Sequence, residues 1–389
     1  MTNRIYLDYH ATTPVDPRVV AELVRATTEL IGNAHSVDHS FGDDAEAAVD
    51  EARVSVATLV GSQASNVIFT SGATEGANLA MHGFVDAMRR GGRTPRIAVS
   101  AIEHRAVLDC ARALRQSGRA QVVEVPVDAS GHLEIDALRQ HAKEGLDLIA
   151  VMAANNEVGT LLRIDEVGSI AEESGAEFLC DATQLVGKRS IDIASARASF
   201  LVFSAHKLYG PKGVGALVVR SGAPLEPVVY GGGQERGFRP GTLPVPSLTA
   251  FGLACRLRME EMHEDELRVA SLRDDLQARL LAGIEGVVVN GDQRARLAGN
   301  LHLSVPDIPN GAIIARVRER LAIATGAACS SGVEAPSHVL RAMGLDSGVR
   351  DGALRIGLGK FTTTEEVAVA ASLLIAATAA ARTSRTHAT

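Results

Sequence analysis

From about residue 66 onward, short apolar runs alternate with longer stretches whose apolar positions recur every three or four residues. The runs 67–70, 97–100, 122–125, 148–152, 178–180, 200–203 and 215–219 read as buried strands. Helical stretches near 75–90, 105–116, 134–143 and 165–174 separate most of them. Strands that are apolar throughout, rather than at every second position, are covered on both faces. The alternation therefore predicts an α/β fold, a mostly parallel sheet flanked by helices, with reactive side chains gathered at the strand ends.

The flanking regions read differently. Residues 5–14 form a short strand and a polar turn, a helix starts near Pro17, and 42–60 has helical spacing. Between these helices, 32–36 is a loop carrying His35. After Pro244-Val245-Pro246, residues 248–282 read as a long amphipathic helix, with Glu260, Glu261, Glu264, Asp265, Glu266 and Arg268 forming a solvated face, an acceptor-docking surface being the second reading. Strands at 300–305 and 323–325 surround a helix at 311–320, a last helix covers 364–380, and the small polar tail 381–389 is expected to fray. The expected division is a large domain over 21–245 and a smaller α+β domain over 246–389, with 1–20 packing on the latter.

Composition narrows the function. A chain of 389 residues, 46% hydrophobic and 22% charged, can bury a large core. Its net charge of −7 offers no general attraction to nucleic acid or anionic lipid, so direct nucleic-acid binding is not expected. No apolar run approaches the roughly 20 residues that span a bilayer, and the start lacks the pattern of a secretory signal. A cytoplasmic protein without membrane contact is the expectation. Cys110, Cys180, Cys255 and Cys329 have no paired short spacing, which argues against a disulfide framework or a metal site.

The candidate chemistry sits at the predicted strand ends. The strand at 200–203 delivers Ser204-Ala205-His206-Lys207 to a Gly/Pro turn. A desolvated lysine there has its ammonium form disfavoured, and its free amine can form a Schiff base with an aldehyde. The strand at 67–70 leads through Ser71-Gly72-Ala73-Thr74-Glu75 into a helix, where backbone N–H groups and the helix dipole suit a phosphate. Other strands end in Glu103-His104, Asn155-Asn156-Glu157 and Asp181-Ala182-Thr183-Gln184. A carboxylate, a lysine, a flat imidazole and a phosphate cradle together meet the needs of pyridoxal 5′-phosphate. In that reading Asp181 keeps the pyridine nitrogen protonated, Lys207 holds the aldehyde and His104 stacks on the ring.

These stretches resemble the cysteine desulfurases, the NifS/IscS-like branch of the fold-type-I pyridoxal-phosphate enzymes. To those already quoted are added Tyr6-Leu7-Asp8-Tyr9, Ala11-Thr12-Thr13-Pro14, Gly231-Gly232-Gly233-Gln234-Glu235-Arg236-Gly237, Gly241-Thr242-Leu243-Pro244 and Ala327-Ala328-Cys329-Ser330-Ser331-Gly332, in the family's order. The resemblance implies that Lys207 links the cofactor, His104 stacks on it and shuttles protons, Asp181 meets its ring nitrogen and Gln184 its ring hydroxyl. Ala73, Thr74, Ser204 and His206 would hold the phosphate, with Thr242 arriving from the other subunit of a homodimer. Asn156 and Arg355 would hold the carboxylate of L-cysteine, a task to which a guanidinium fork is suited. Cys329 would take the sulfur as a persulfide and pass it to an acceptor protein, leaving alanine.

Several positions depart from the family pattern. His10 stands where relatives commonly carry a small or amide residue, Gln234 where His is frequent, and Pro240 where Ser is usual. Val333-Glu334-Ala335 replaces a more usual Ser-Leu-Glu, in a segment whose length matches the longer-loop branch and favours direct sulfur delivery. Selenocysteine lyase, aminotransferase and a mainly structural sulfur-pathway platform stay open as alternatives. So does the pathway: iron–sulfur cluster assembly, tRNA thiolation or DNA phosphorothioation of the DndA type.

Overall fold

The computed structural model describes residues 4–325 and 337–386. Its strands are β1 (Ile5–Tyr6), β2 (Val67–Thr70), β3 (Arg96–Ser100), β4 (Gln121–Val125), β5 (Leu148–Met152) and β6 (Glu177–Asp181), then β7 (Phe200–Ser204) and β8 (Gly215–Val219). Four more follow: β9 (Val288–Val289), β10 (Asn300–Ser304), β11 (Leu321–Ala322) and β12 (Ala353–Gly357). The helices of the first half are α1 (Pro17–Glu29), α2 (Ser40–Leu59), α3 (Ala73–Arg90), α4 (Arg105–Gln116), α5 (Ile135–Lys143) and α6 (Ile164–Ser174). Those of the second half are α7 (Val245–Gly283), α8 (Asn310–Val317), α9 (His338–Ala342), α10 (Ser347–Asp351) and α11 (Thr364–Thr386).

Seven strands form the main sheet in the order β2-β8-β7-β6-β5-β3-β4. From β7 to β4 all neighbours run parallel, whereas β8 is antiparallel to both β7 and β2. The reversal follows from the short turn at 205–214, which cannot make the helical crossover that a parallel neighbour needs. Alternate residues serve opposite faces: Phe203, Leu201, Val218 and Phe69 join one apolar cluster, and Phe200, Val202, Leu217 and Ile68 the other. Burial of each such side chain contributes about 1.5–3 kcal/mol. Strand β4 is the exception to the buried-strand reading. It lies at the sheet edge and exposes Gln121 and Glu124, polar residues that blunt an unpaired strand.

A third apolar cluster joins Ile5 and Leu7 to Leu301, Leu303, Leu354 and Ile356 and to the far half of α7 and α11. Here β12, β10 and β9 form an antiparallel sheet, and β1 pairs in parallel with β11. The strand expected at 323–325 instead occupies Leu321–Ala322, in register with Ile5 and Tyr6, and only Ala324 reaches Arg355. Helix α7 runs through both units, burying Leu248, Phe251 and Cys255 in the first and Val269, Leu272 and Leu276 in the second.

Between those halves the acidic cluster departs from the solvated reading. Glu260 and Glu264 are exposed, but Asp265 pairs at 2.5 Å with Arg258, a guanidinium only 1% exposed that also donates to the Gly187 carbonyl. Glu261 pairs with Arg18 and Lys360, and Glu266 is largely enclosed. Partners distant in sequence turn this side of the helix inward.

The chain's end also differs from expectation. Thr364–Ser384, mean hydropathy 1.5, is long and apolar enough by length and composition to cross a membrane. Its alanines raise the hydropathy, and Val367, Ala370, Ala371, Leu374, Ala377 and Ala381 pack into the third cluster. The helix continues to Thr386, where fraying was expected.

Candidate active site

A cavity of about 620 Å³ opens at the C-terminal ends of β2, β3, β5, β6 and β7. Lys207 ends the short helical turn Ala205–Lys207 that follows β7, and its Nζ donates to the carbonyls of His10 and, at 2.7 Å, Ala11. The N-terminal segment thus closes one side of the cavity. Thr13 Oγ1 donates to the His206 carbonyl and accepts from Tyr209 N, which fixes the segment against the lysine turn.

Opposite lies the start of α3. Ser204 Oγ accepts from Ala73 N at 2.7 Å, and Thr74 lies beside it on the cavity wall. Close approach here depends on glycine: a Cβ at Gly215 would stand 2.7 Å from Gly72 Cα, and Gly72 itself has φ +154°. At this helix start the Ala73 amide is held by Ser204, and Glu75, which also lines the cavity, turns its carboxylate back to Ser71 N and Arg239. His206 Nδ1 is 3.1 Å from Thr12 Oγ1, and burial, aided by Lys207, pushes its pKa down to about 4, so the ring is neutral at pH 7.

Asp181, 7% exposed, ends β6 and accepts from Thr183 N at 3.0 Å. Nearby Glu103 is fully enclosed; its Oε1 accepts from Met152 N, and Oε2 has no partner among the described residues. Burial, reinforced by Asp181, raises its pKa well above the carboxylate range, so it stays protonated. His104 caps α4, with Nδ1 accepting from Ala106 N at 3.1 Å, which leaves the proton of the neutral ring on Nε2.

The remaining wall comes from β12 and the turn after β5. Arg355, 3% exposed, donates from Nη1 to the Asn156 carbonyl at 3.1 Å and from Nη2 to Asp8 Oδ1 at 2.9 Å. Glu157 accepts from Ser337 Oγ, and burial pushes its pKa up to about 7. His338 Nε2 donates to the Glu103 carbonyl. Gln184 does not offer both ends of its amide to the cavity: Nε2 donates to the His10 carbonyl and Oε1 accepts from Lys188 Nζ.

The cavity therefore brings together Lys207, His104, Ala73, Thr74, Asp181, Gln184, Ser204, His206, Asn156 and Arg355. Thr242 is not among its lining residues; it is exposed on a loop where Gln234 Oε1 accepts from Gly241 N. Cys329, and with it the reading of a longer loop, lies outside the described residues. The other cysteines are buried, and burial raises all three thiols, Cys110 to about 12, as suits inert packing. His35 is an exposed loop residue whose N–H donates to Asn33 Oδ1. Sequence reasoning gave no role to Asp8, Glu157, Lys188 or Ser337. The first two stand inside quoted motifs, and Lys188 follows Gln184 at the spacing of one helical turn, a signal of contact.

The chain matches the model for aminotransferase class-V over residues 5–369. It is 41% identical over 372 residues to a cysteine desulfurase IscS of Rickettsia bellii (strain OSU 85-389), covering 95% of this chain and 90% of the relative. A solved NifS-like protein superposes with TM-score 0.88 at 33% identity, covering 96% of this chain and 98% of the other. The crystal structure of DndA from Streptomyces lividans gives TM-score 0.77 at 33% identity, with coverages of 90% and 98%. With the strand-end cavity and the matched length, this chain belongs to the class-V aminotransferase family.

Proposed function

We propose that this protein is a pyridoxal-phosphate-dependent cysteine desulfurase, which converts L-cysteine to L-alanine and keeps the sulfur as a persulfide on Cys329. The observation that carries the reading is the convergence of the Lys207 amine, the Asp181 carboxylate, the α3 amides and the Arg355 guanidinium on one cavity. The donor set fits the cofactor. Lys207 would take its aldehyde, Asp181 its ring nitrogen, and Ala73 N, Thr74, Ser204 and His206 its phosphate. His104 would lie against the ring and Gln184 would meet the ring hydroxyl. Bound pyridoxal 5′-phosphate supplies an electron-accepting ring that allows the Cα proton of an amino acid to leave.

The chain's own residues do the rest. Arg355, held by Asp8, and Asn156 bind the substrate carboxylate, and the Lys207 amine removes the Cα proton. Cys329 thiolate attacks the substrate sulfur; an S–S bond forms as the C–S bond breaks, its electron pair staying with carbon. Proton transfer through His104 Nε2 completes alanine. The net change is L-cysteine plus the Cys329 thiol giving L-alanine plus the Cys329 persulfide, which an acceptor protein removes.

We place the enzyme in the cytoplasm as a homodimer. Its loop 231–242 is tied to its own chain by Glu235, which accepts from Arg53 and Phe69 N, and by Arg239 with Glu75. Thr242 stays exposed, as does nearby Tyr230 at 82%, which supports a role for Thr242 in the partner's phosphate site. The clusters that join Ile5 and Leu7 to Leu301 and Leu354 support a small domain of 246–389 with 1–20, beside a large domain of 21–245. The test is Cys329→Ser: cofactor absorbance is retained while persulfide and alanine fall to background. Sustained alanine production by this variant would overturn the reading.

A further inference from the structure

The turn that joins β7 to β8 carries an amine that the cofactor residues named above do not include. Lys212 is exposed, and with Gly213 it lines the cavity alongside Ser71, Gly72, Ala73 and Thr74. The turn folds back on the residues before Lys207: Gly210 N donates to the Ala205 carbonyl at 3.0 Å, and Ala205 N donates to the Val214 carbonyl at 3.1 Å. Pro211 and Gly213, the latter at φ +83°, bracket Lys212 and restrict the backbone on either side of it. A little further on, Gly215 pairs with Thr70 and packs against Gly72, so the turn stands beside the start of α3.

The groups already assigned to the phosphate are all uncharged. The Ala73 amide, Thr74 and Ser204 carry no charge, and His206 is neutral at pH 7 because burial, aided by Lys207 and Lys212, brings its pKa down to about 4. Other charges nearby are committed. Glu75 is taken up by Ser71 N and Arg239, Lys207 by the His10 and Ala11 carbonyls, and Arg355 by Asp8. The Lys212 ammonium makes no hydrogen bond or ion pair among the described residues. A phosphate monoester carries about two negative charges at pH 7. Neutral donors can orient such a group, but they leave its charge unmet; a lysine answers it as a point charge.

We infer that Lys212 is a cofactor-binding residue, the cation that meets the phosphate of pyridoxal 5′-phosphate and holds it as the dianion. The inference rests on the reading above that the cavity takes this cofactor. It adds a charge to a cradle otherwise built of neutral donors, and it gives a role to the lysine of the turn Gly210-Pro211-Lys212-Gly213.

The test compares full-length wild type with Lys212→Met and Lys212→Arg. Each is freed of cofactor and titrated with pyridoxal 5′-phosphate, or with pyridoxal, which lacks the phosphate, and binding is read from cofactor absorbance. Lys212→Met should weaken pyridoxal 5′-phosphate about tenfold and leave pyridoxal unchanged, and Lys212→Arg should recover most of the loss. Added KCl should weaken the wild type more steeply than Lys212→Met, because an exposed ion pair is screened by salt. In phosphorus NMR of the bound cofactor, loss of the cation should raise the second pKa of the phosphate, so its monoanion appears at higher pH in Lys212→Met. Equal affinity for pyridoxal 5′-phosphate in wild type and Lys212→Met, an equal phosphate pKa, or a loss shared by pyridoxal would each overturn the inference and leave the cofactor reading intact. A wild type that takes up neither compound would overturn both.

Discussion

Glu157 shows how burial alone sets a charge in this site. Its carboxyl, 3% exposed, is pushed up to about 7 by burial, against the opposing hydrogen bond from Ser337 and the positive charge of Arg355. Below about pH 4 folded and unfolded chains both hold this proton. As pH rises from about 4.5 to 7 the unfolded chain loses it and the folded chain keeps it, so stability falls across that window and the penalty is complete above it. Glu157→Gln removes the effect. Urea unfolding should show the variant gaining on the order of 3 kcal/mol relative to wild type between about pH 4.5 and 7.5; parallel pH curves would contradict it. At this scale the sequence was legible for residue type but not for partner. Lys207, Asp181 and Arg355 could be named from motifs, whereas the Asp8 contact with Arg355 spans nearly the whole chain.

Elements were legible where their burial was uniform. Strands β2, β5, β7 and β8 read directly because both faces are covered, so each is one apolar run bounded by turn residues. Reading failed where context decided: β4 is an edge strand, and β11 is two residues long with its position set by pairing with β1. The cradle at α3 was visible only as a Gly/Ser/Thr helix start. Its close approach to β8 rests on two glycines packed together, Gly72 and Gly215, which no local pattern reveals. Gly215→Ala would place a Cβ 2.6 Å from Phe203 O and 2.7 Å from Gly72 Cα. Overpacking of this kind costs about 1–3 kcal/mol. The expected result is a lowered midpoint of unfolding together with weaker pyridoxal-phosphate retention on dialysis. Unchanged retention would show that the cradle tolerates the shift.

For the whole molecule, α7 is the shared element, and its middle is ionic rather than apolar. Arg258 is held by Asp265 and the Gly187 carbonyl and faces the Tyr209 ring at 5.2 Å; Lys360 joins Asp16 and Glu261 nearby. Removing Arg258 strips the buried Gly187 carbonyl of its side-chain donor and leaves the largely enclosed Asp265 with only the longer Arg268 contact, which is costlier than losing a surface pair. Arg258→Ala should lower unfolding stability by about 3–5 kcal/mol, while Arg256→Ala, at the exposed pair with Glu51, should change it by less than about 1 kcal/mol. Equal losses would contradict this assignment. The sequence showed the charges but paired them with water, because Arg18 and Lys360 lie far along the chain from α7.

All of this serves one chemical claim, that the cavity presents L-cysteine to Cys329. Mass spectrometry of the purified, cofactor-loaded protein after brief exposure to L-cysteine, with alanine quantified in parallel, tests it most directly. The expected result is one or more added sulfur atoms mapped to Cys329, with alanine formed alongside. Cofactor bound at Lys207 with neither sulfur on Cys329 nor alanine would contradict the claim.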